Sequence, residues 1–303
     1  MNILVKKSLF IGLLPFFLSN LLAQGAVLQV VTKKVEKHFS YKEGYELNVE
    51  GEKALVTIDT WDKDEIFVAM ELIAKHTDVT IAEKDLESLH YVMKRIKNKI
   101  YLRNFLKSGQ DEGKVASTLL VRYKIFLPES CPVYIKNHFG EANVSQLTGS
   151  LKINSEYSKI NLIDIVGILN VSTRFGDLFG QRIDGTMAVN ARRSDITLTD
   201  IRGHFDIKAQ YGKVLISSQD ELLDLSIEAK KSDVVLLLPN PQLYGYELSA
   251  KNGRIELPKF FEVSTSRPNE YIEQLDVKPP GDYYPSIKVS VTIGDIKVEK
   301  KKI

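Results

Sequence analysis

The 303-residue chain has a single cysteine, Cys131. No intramolecular disulfide is available, so the fold must rest on core packing and backbone hydrogen bonds. Cys131 precedes Pro132 in a strand-like segment and reads as a small buried hydrophobe, with a catalytic thiol as the alternative. Histidine is scarce: His38, His76, His90, His138 and His204 show no metal-ligand spacing such as His-x-x-x-His beside an acid. No glycine-rich loop precedes a helix, which excludes a standard phosphate cradle, and no nucleophile elbow is present. Beyond the first 23 residues no run is long and apolar enough to span a bilayer.

Those first residues have their own pattern. Lys6 and Lys7 precede the apolar run from Ser8 to Leu22, and the small residues Ala23, Gly25 and Ala26 follow. Basic start, apolar middle and small-residue exit are the three parts of a secretory signal peptide, so residues 1–23 are expected to be cleaved and the protein exported. The chain carries 41 Lys and Arg against 39 Asp and Glu; without Lys6 and Lys7 the count is 41 − 2 = 39 against 39. A nucleic-acid binder needs a positive surplus to displace counterions, so nucleic acid is not an expected partner. Lys297, Lys300, Lys301 and Lys302 read as a solvated tail.

The repeat carries the fold. Ile135, Ile153, Val171, Val189 and Ile207 stand 18 residues apart, and Gly149, Gly167, Gly185 and Gly203 keep that spacing. So do Gly140, Ser158, Gly176, Ser194 and Gly212, preceded by Phe139, Tyr157, Phe175, Arg193 and Tyr211. Further rows follow after slips, at Ile227–Ser232 and Leu248–Gly253, and a last one at Val289–Gly294. Each row holds two short alternating strands and two tight turns, too little for a helix and strand together. Alternation sorts inside from outside. Ala142, Ile160, Leu178, Ile196 and Val214 form one inward column; Leu151, Leu169, Met187, Phe205 and Leu223 form another. One row cannot bury enough to fold alone, so stacking must supply the rest. The expectation is an all-β fold: a single-stranded parallel β-helix, or β-solenoid, of about 18 residues per rung over 131–303.

Residues 24–130 do not follow the period and read as a β-rich capping region over the open end of the coil. "ALVTIDTW" and "DEIFVAMELIA" are strands around the turn "DKD"; Thr80 and Glu83 predict a capping box and a helix at about 81–89. "YVMKRIKNKIYLRNF" predicts a hairpin turning near Asn98, and "ASTLLVRYKIFLP" another strand. Residues 259–288, with Pro268, Pro279, Pro280 and Pro285, read as a loop insertion, either structural filler or a contact surface for a partner.

The rows "NSEYSKINLIDIVGILNV", "STRFGDLFGQRIDG" and "AQYGKVLI", after an early "VTIDTWDKDEIFV", resemble the bacterial putative-adhesin family over roughly residues 40–300. That family's early T-W-x-x-[DN]-x-[IV]-x-V strand is matched from Thr60 to Val68. Its members are right-handed parallel β-helices of unknown function. The resemblance therefore implies right-handedness and an exported or envelope location: periplasm, outer-membrane surface or outside the cell. It names no ligand. "RRSD" at 192–195 departs from the aromatic-Gly turn.

Some polysaccharide lyases and hydrolases are also β-helices, with acids and bases converging on one face. Asp177, Asp184, Asp195, Asp200, Arg192, Arg193 and His204 are the residues that such chemistry would draw on. Asp177 and Asp195 share a column one row apart. Lys159 and Lys213 flank them, so the column reads as a charge-alternating structural ladder, against an ion site or a catalytic pair. His204 reads as an exposed corner residue. The column Phe139, Tyr157, Phe175, Tyr211 is read as an inward-packed ladder, with an exposed strip for sugar rings as the alternative. The sequence therefore leads to a non-catalytic exported scaffold, with glycans or envelope and matrix proteins as partners. No catalytic, cofactor or metal residue is assigned, and a carbohydrate-active enzyme is the alternative.

Overall fold

A computed structural model describes residues 27–106, 115–259, 261, 263, 265–279 and 284–301; the signal peptide expected over 1–23 lies outside the described residues, as do Pro280 and Lys302. The fold is all-β: strands joined in one open sheet, with one α-helix among the described residues.

The first part contains β1 (Gln29–Ser40), β2 (Glu46–Glu52), β3 (Ala54–Trp61), β4 (Glu65–His76), helix α1 (Val79–Glu87), β5 (Leu89–Ile96), β6 (Lys99–Leu106) and β7 (Thr118–Pro128). The second begins with β8 (Val133–Ser145), β9 (Leu151–Arg174), β10 (Leu178–Arg192), β11 (Ile196–Gln210), β12 (Val214–Lys230) and β13 (Val234–Leu238). It ends with β14 (Gly245–Lys251), β15 (Ile255–Glu256), β16 (Ser266–Asn269), β17 (Ile272–Val277), β18 (Ser286–Thr292) and β19 (Ile296–Lys300).

β8 to β12 pair in parallel, each residue opposite the one 18 positions on: Ala142↔Ile160, Ile160↔Leu178, Leu178↔Ile196, Ile196↔Val214. The ladder slips between Thr199 and Gly203, after which Phe205 faces Leu225. Both inward columns named above are buried throughout. Alternation dictates this, since every second side chain of a strand points the same way.

Two corners interrupt each row. At the first, one non-glycine residue adopts the left-handed conformation: Phe139 (φ 56), Tyr157 (φ 52), Phe175 (φ 56), Arg193 (φ 53) and Tyr211 (φ 59). The glycine that follows is required for a different reason. A Cβ at Gly176 would stand 2.0 Å from the carbonyl oxygen of Ser158. Glycine alternates here with serine, whose hydroxyl accepts the N–H of the preceding row's glycine: Gly140 to Ser158 at 3.0 Å, Gly176 to Ser194 at 3.2 Å. Inside this corner lie the buried polar residues Asn137, Ser155 and Thr173. Thr173 donates to the Gly176 carbonyl at 2.9 Å, fastening the turn.

The helix begins at Val79, not 81, because Asp78 is its cap: its carboxylate accepts the Thr80 N–H at 2.8 Å and the Ile81 N–H at 3.4 Å. A carboxylate two residues ahead of the expected cap thus satisfies the free amides. β5 and β6 form the expected antiparallel hairpin. The span 259–288 is not a plain loop: β16 and β17 pair antiparallel within it, and β17 lies along β14. The lysine-rich end is not a solvated tail either. Lys297 and Lys300 belong to β19, which pairs with β13 and β15, and Lys301 Nζ donates to Asp200 at 2.6 Å.

The rows do not stack in chain order. β18 lies between β12 and β14, parallel to both. Likewise β2 lies between β6 and β8, and β3 between β7 and β8. Beyond these, the neighbouring strands run antiparallel: β4 on β7, β1 on β4, β17 on β14.

Candidate functional site

Outward columns decide what the lateral surface can do. The carboxylates singled out by sequence are occupied in joining rows. Asp177 accepts the backbone N–H of Asp195 at 3.0 Å, and Asp195 accepts that of Lys213 at 2.8 Å. Asp233 repeats the bond to Asp295 at 3.0 Å, and Asp295 to Arg254 at 2.8 Å. A carboxylate that accepts an amide from the next row acts as a staple, and its lone pairs point along the stack.

The second corner carries ion pairs in two columns. Arg182 bridges to Asp164, with its second nitrogen at 2.9 Å, and Asp200 above is met by Lys301. The hydrogen bond from Arg182 holds the Asp164 carboxyl below its ordinary value despite a small opposing effect of burial. Beside them Arg202 binds Asp184 and approaches Asp220 at 3.9 Å. Opposite charges on successive rows remove the repulsion that like charges would meet. His204 is exposed at this corner. Asp184 and Asp200 are thus held by cations, and no group of three or more His, Cys, Asp or Glu able to hold a metal exists among the described residues.

The aromatic column lies outside, not inside. Phe139, Tyr157, Phe175 and Tyr211 are 46%, 44%, 37% and 39% exposed. The left-handed backbone swings these side chains outward, and the inner side of the corner is filled by Asn137, Ser155, Thr173, Ala191 and Ala209. The rings still stack: Phe139 on Tyr157 at 4.9 Å and 12°, Tyr157 on Phe175 at 4.7 Å and 3°. These separations equal the spacing of neighbouring strands, about 4.8 Å. Arg193, where the turn motif departs, completes the column: its guanidinium lies 5.4 Å from the Phe175 ring and 5.8 Å from that of Tyr211. Lys231 follows at 5.2 Å from Tyr211. Ring faces are covered by their neighbours, so the column offers edges to solvent and is not a platform for sugar faces.

Immediately before the aromatic rim runs the face of β8–β12 and β18. Small outward side chains, Ser172, Ala188 and Asn190 among them, leave a depression between longer ones. It is a groove of about 440 Å³ lined by Arg192, Lys208, Gln210, Glu228, Lys230 and Ser290. A second depression of about 280 Å³ adds Lys152, Asn154 and Asn170; the two share Asn190 and Lys208 and so run on from one another. Arg174 pairs with Glu156 and Lys208 with Glu228. No residue of this groove stands out singly in the sequence; its only mark there is the run of short polar residues Asn154, Ser172 and Asn190 in one outward column.

Three residues of the early motif, and Cys131, have structural roles. Trp61 Nε1 donates to the Glu65 carbonyl at 2.8 Å, closing the turn before β4, and its ring stacks on Phe126 at 5.5 Å. Ile66 and Val68 of the same motif are buried. Cys131 is buried, and burial pushes its thiol up to about 12, which leaves it without nucleophilic character at neutral pH.

Two solved structures are similar over most of the chain. A putative cell adhesion protein from Clostridium sporogenes ATCC 15579 is 16% identical with a TM-score of 0.23, covering 89% of this chain and 100% of its own. A putative adhesin from Bacteroides fragilis NCTC 9343 is 10% identical with a TM-score of 0.30, covering 88% of this chain and 97% of its own. No curated protein matches. A family model matches residues 33–299, which include the Thr60–Val68 motif and every row of the stack, and the chain belongs to that family, Toastrack DUF4097.

Proposed function

We propose that this chain is a non-catalytic, exported β-solenoid that serves as an interaction scaffold at the bacterial envelope, facing the periplasm, the outer-membrane surface or the exterior. On this reading the coil is right-handed with about 18 residues per rung; the family resemblance supports the hand, and the constant register offset of 18 supports the rung. One observation carries the functional reading: the acids that a glycan-cleaving site would need are spent on joining rows, Asp177 and Asp195 as amide staples and Asp184 and Asp200 in ion pairs. General acid–base work needs a carboxyl free to meet substrate.

The test uses the protein from residue 24 onward on a panel of polysaccharides and matrix proteins, scored for both binding and cleavage. Binding without new chain ends is expected. Cleavage of any polysaccharide that is lost in Asp177→Ala or Asp195→Ala would overturn the scaffold reading in favour of a carbohydrate-active enzyme.

A further inference from the structure

We infer that the groove along β9–β12 and β18 binds a linear acidic polysaccharide, a polyuronate, laid across the rows beside the aromatic rim. The inference rests on the scaffold reading and names the ligand class.

Charge distribution is the first ground. On this face Lys136, Lys152, Arg192 and Lys230 form no ion pair with another described residue, while Glu156 and Glu228 are used by Arg174 and Lys208. Arg174 and Arg192 stand directly opposite each other on adjacent rows. Like charges so placed repel, and Arg193 adds a third cation at the corner. At the second corner, by contrast, the column alternates in sign from Asp164 through Arg182 and Asp200 to Lys301. Arg174 is already met by Glu156, whereas Arg192 has no such carboxylate among the described residues, and an anion at the step between them would pair with Arg192. On the face formed by the other strand of each row, Asn161, Phe179, Thr197, Leu215 and Val235 stand in one register column without a charge.

Shape and spacing are the second ground. The groove crosses rows from Lys152 to Thr292. With about 4.8 Å per row, five steps span roughly 24 Å. It therefore suits an extended chain, and one sugar residue of such a chain is close to one row in length. Arg192 and Lys230 lie two rows apart through Gln210, so carboxylates on alternate sugars meet both. Asn154, Asn170, Asn190 and Gln210 supply amide donors and acceptors for hydroxyls.

Nucleic acid fits less well. Its charge density, one per about 1.7 Å of duplex, calls for more cations than this face holds. Asp206, Glu156 and Glu228 can accept sugar hydroxyls, which a duplex backbone does not offer. Bases would need open ring faces, and here the rings cover one another.

The experiment is titration calorimetry of the protein from residue 24 onward with a hexameric oligogalacturonate, against dextran and a short DNA duplex, at low and moderate salt. Binding of the oligogalacturonate that weakens with salt is expected, with little for dextran or DNA. Arg192→Ala and Lys230→Ala should each weaken it about tenfold, the loss expected for one charge-assisted hydrogen bond. Arg192→Glu should abolish it, and Lys297→Ala, on the opposite face, should change it less than about twofold. Melting temperatures of the variants verify that the exposed substitutions leave the fold intact. Absence of oligogalacturonate binding, binding indifferent to Arg192 and Lys230, or tighter binding of DNA each overturns the inference. If another glycan binds regardless of these variants, the inference falls while the scaffold reading stands; if a glycan is cleaved, the scaffold reading falls whether or not the groove binds.

Discussion

Gly185 stands at the second corner with φ +138, and a Cβ there would meet the Gly167 carbonyl oxygen at 2.2 Å. Replacement by valine carries two costs. A β-branched residue in that backbone region is strained by about 1–3 kcal/mol. The Cβ must also push the Gly167 row away, and losing roughly two row-to-row hydrogen bonds at about 1 kcal/mol each adds a similar amount. The sum is about 3–5 kcal/mol, which at about 2–4 °C per kcal/mol for a chain of this size is a fall of roughly 10 °C in Tm. Gly203 has the same 2.2 Å approach, to Gly185, and should behave alike; Gly167, where the nearest oxygen is 2.8 Å away, should suffer less. Thr197 points outward and is half-buried, so Thr197→Ser should cost no more than about 0.5 kcal/mol. Thermal unfolding followed by far-ultraviolet circular dichroism ranks the four variants. Equal melting temperatures for Gly185→Val and Thr197→Ser would refute the close stacking of equivalent corners on which the repeat depends.

Thr173→Val keeps the volume and removes the hydroxyl bonded to Gly176; a loss of about 1–2 kcal/mol in urea unfolding is expected, and no loss would mean the corner needs no such fastener. Cys131, buried with its thiol near 12, should resist an aromatic disulfide reagent in the native protein and react fully after denaturation; rapid native labelling would contradict its placement. Asp85 experiences burial, which raises its carboxyl, but Ser117, whose N–H donates to it at 2.7 Å, and the Ala116 N–H at 3.0 Å outweigh this and hold it below the ordinary value. A carboxyl lowered on folding stabilises the protein above its unfolded value of about 4 and loses that contribution as pH falls through the lower folded value. Melting temperature should therefore drop below about pH 4, less steeply in Asp85→Asn; an unchanged acid profile in that variant would sink the assignment.

Inward columns were legible because alternation is a local rule: Ile160, Leu178 and Ile196 needed only the period to be placed in the core. The side taken by Phe139, Tyr157 and Phe175 was not, since the left-handed turn breaks alternation at the corner itself. The period also leaves unsaid why glycine stands at 140, 176 and 212: the left-handed residue is its predecessor, and glycine admits the backbone of an earlier row. The position of the last row was also beyond reach. Ser286–Thr292 has the pattern of any row, and pattern carries no information on which two neighbours it joins. Of the candidate site, the charges were visible singly, but their state depended on contacts 18 residues away that only stacking creates.

The exchange of row order bears on function as well as folding. A stack built in chain order would leave its last row with one bare edge, a template for unwanted pairing. Here β18 is covered by β12 on one side and β14 on the other, and β14 is covered in turn by the antiparallel β17. The same device places β2 and β3 inside β6 and β7. Ser290 and Thr292 of β18 line the end of the lateral groove, so the groove reaches full length only once the C-terminal row has entered between two earlier ones. Contacts of such long range form late. A chain that has stacked its central rows but not inserted β18 would present the charged face truncated, with residues 225–230 of β12 unpaired on that side. The element that completes the surface is therefore the one that also seals the fold.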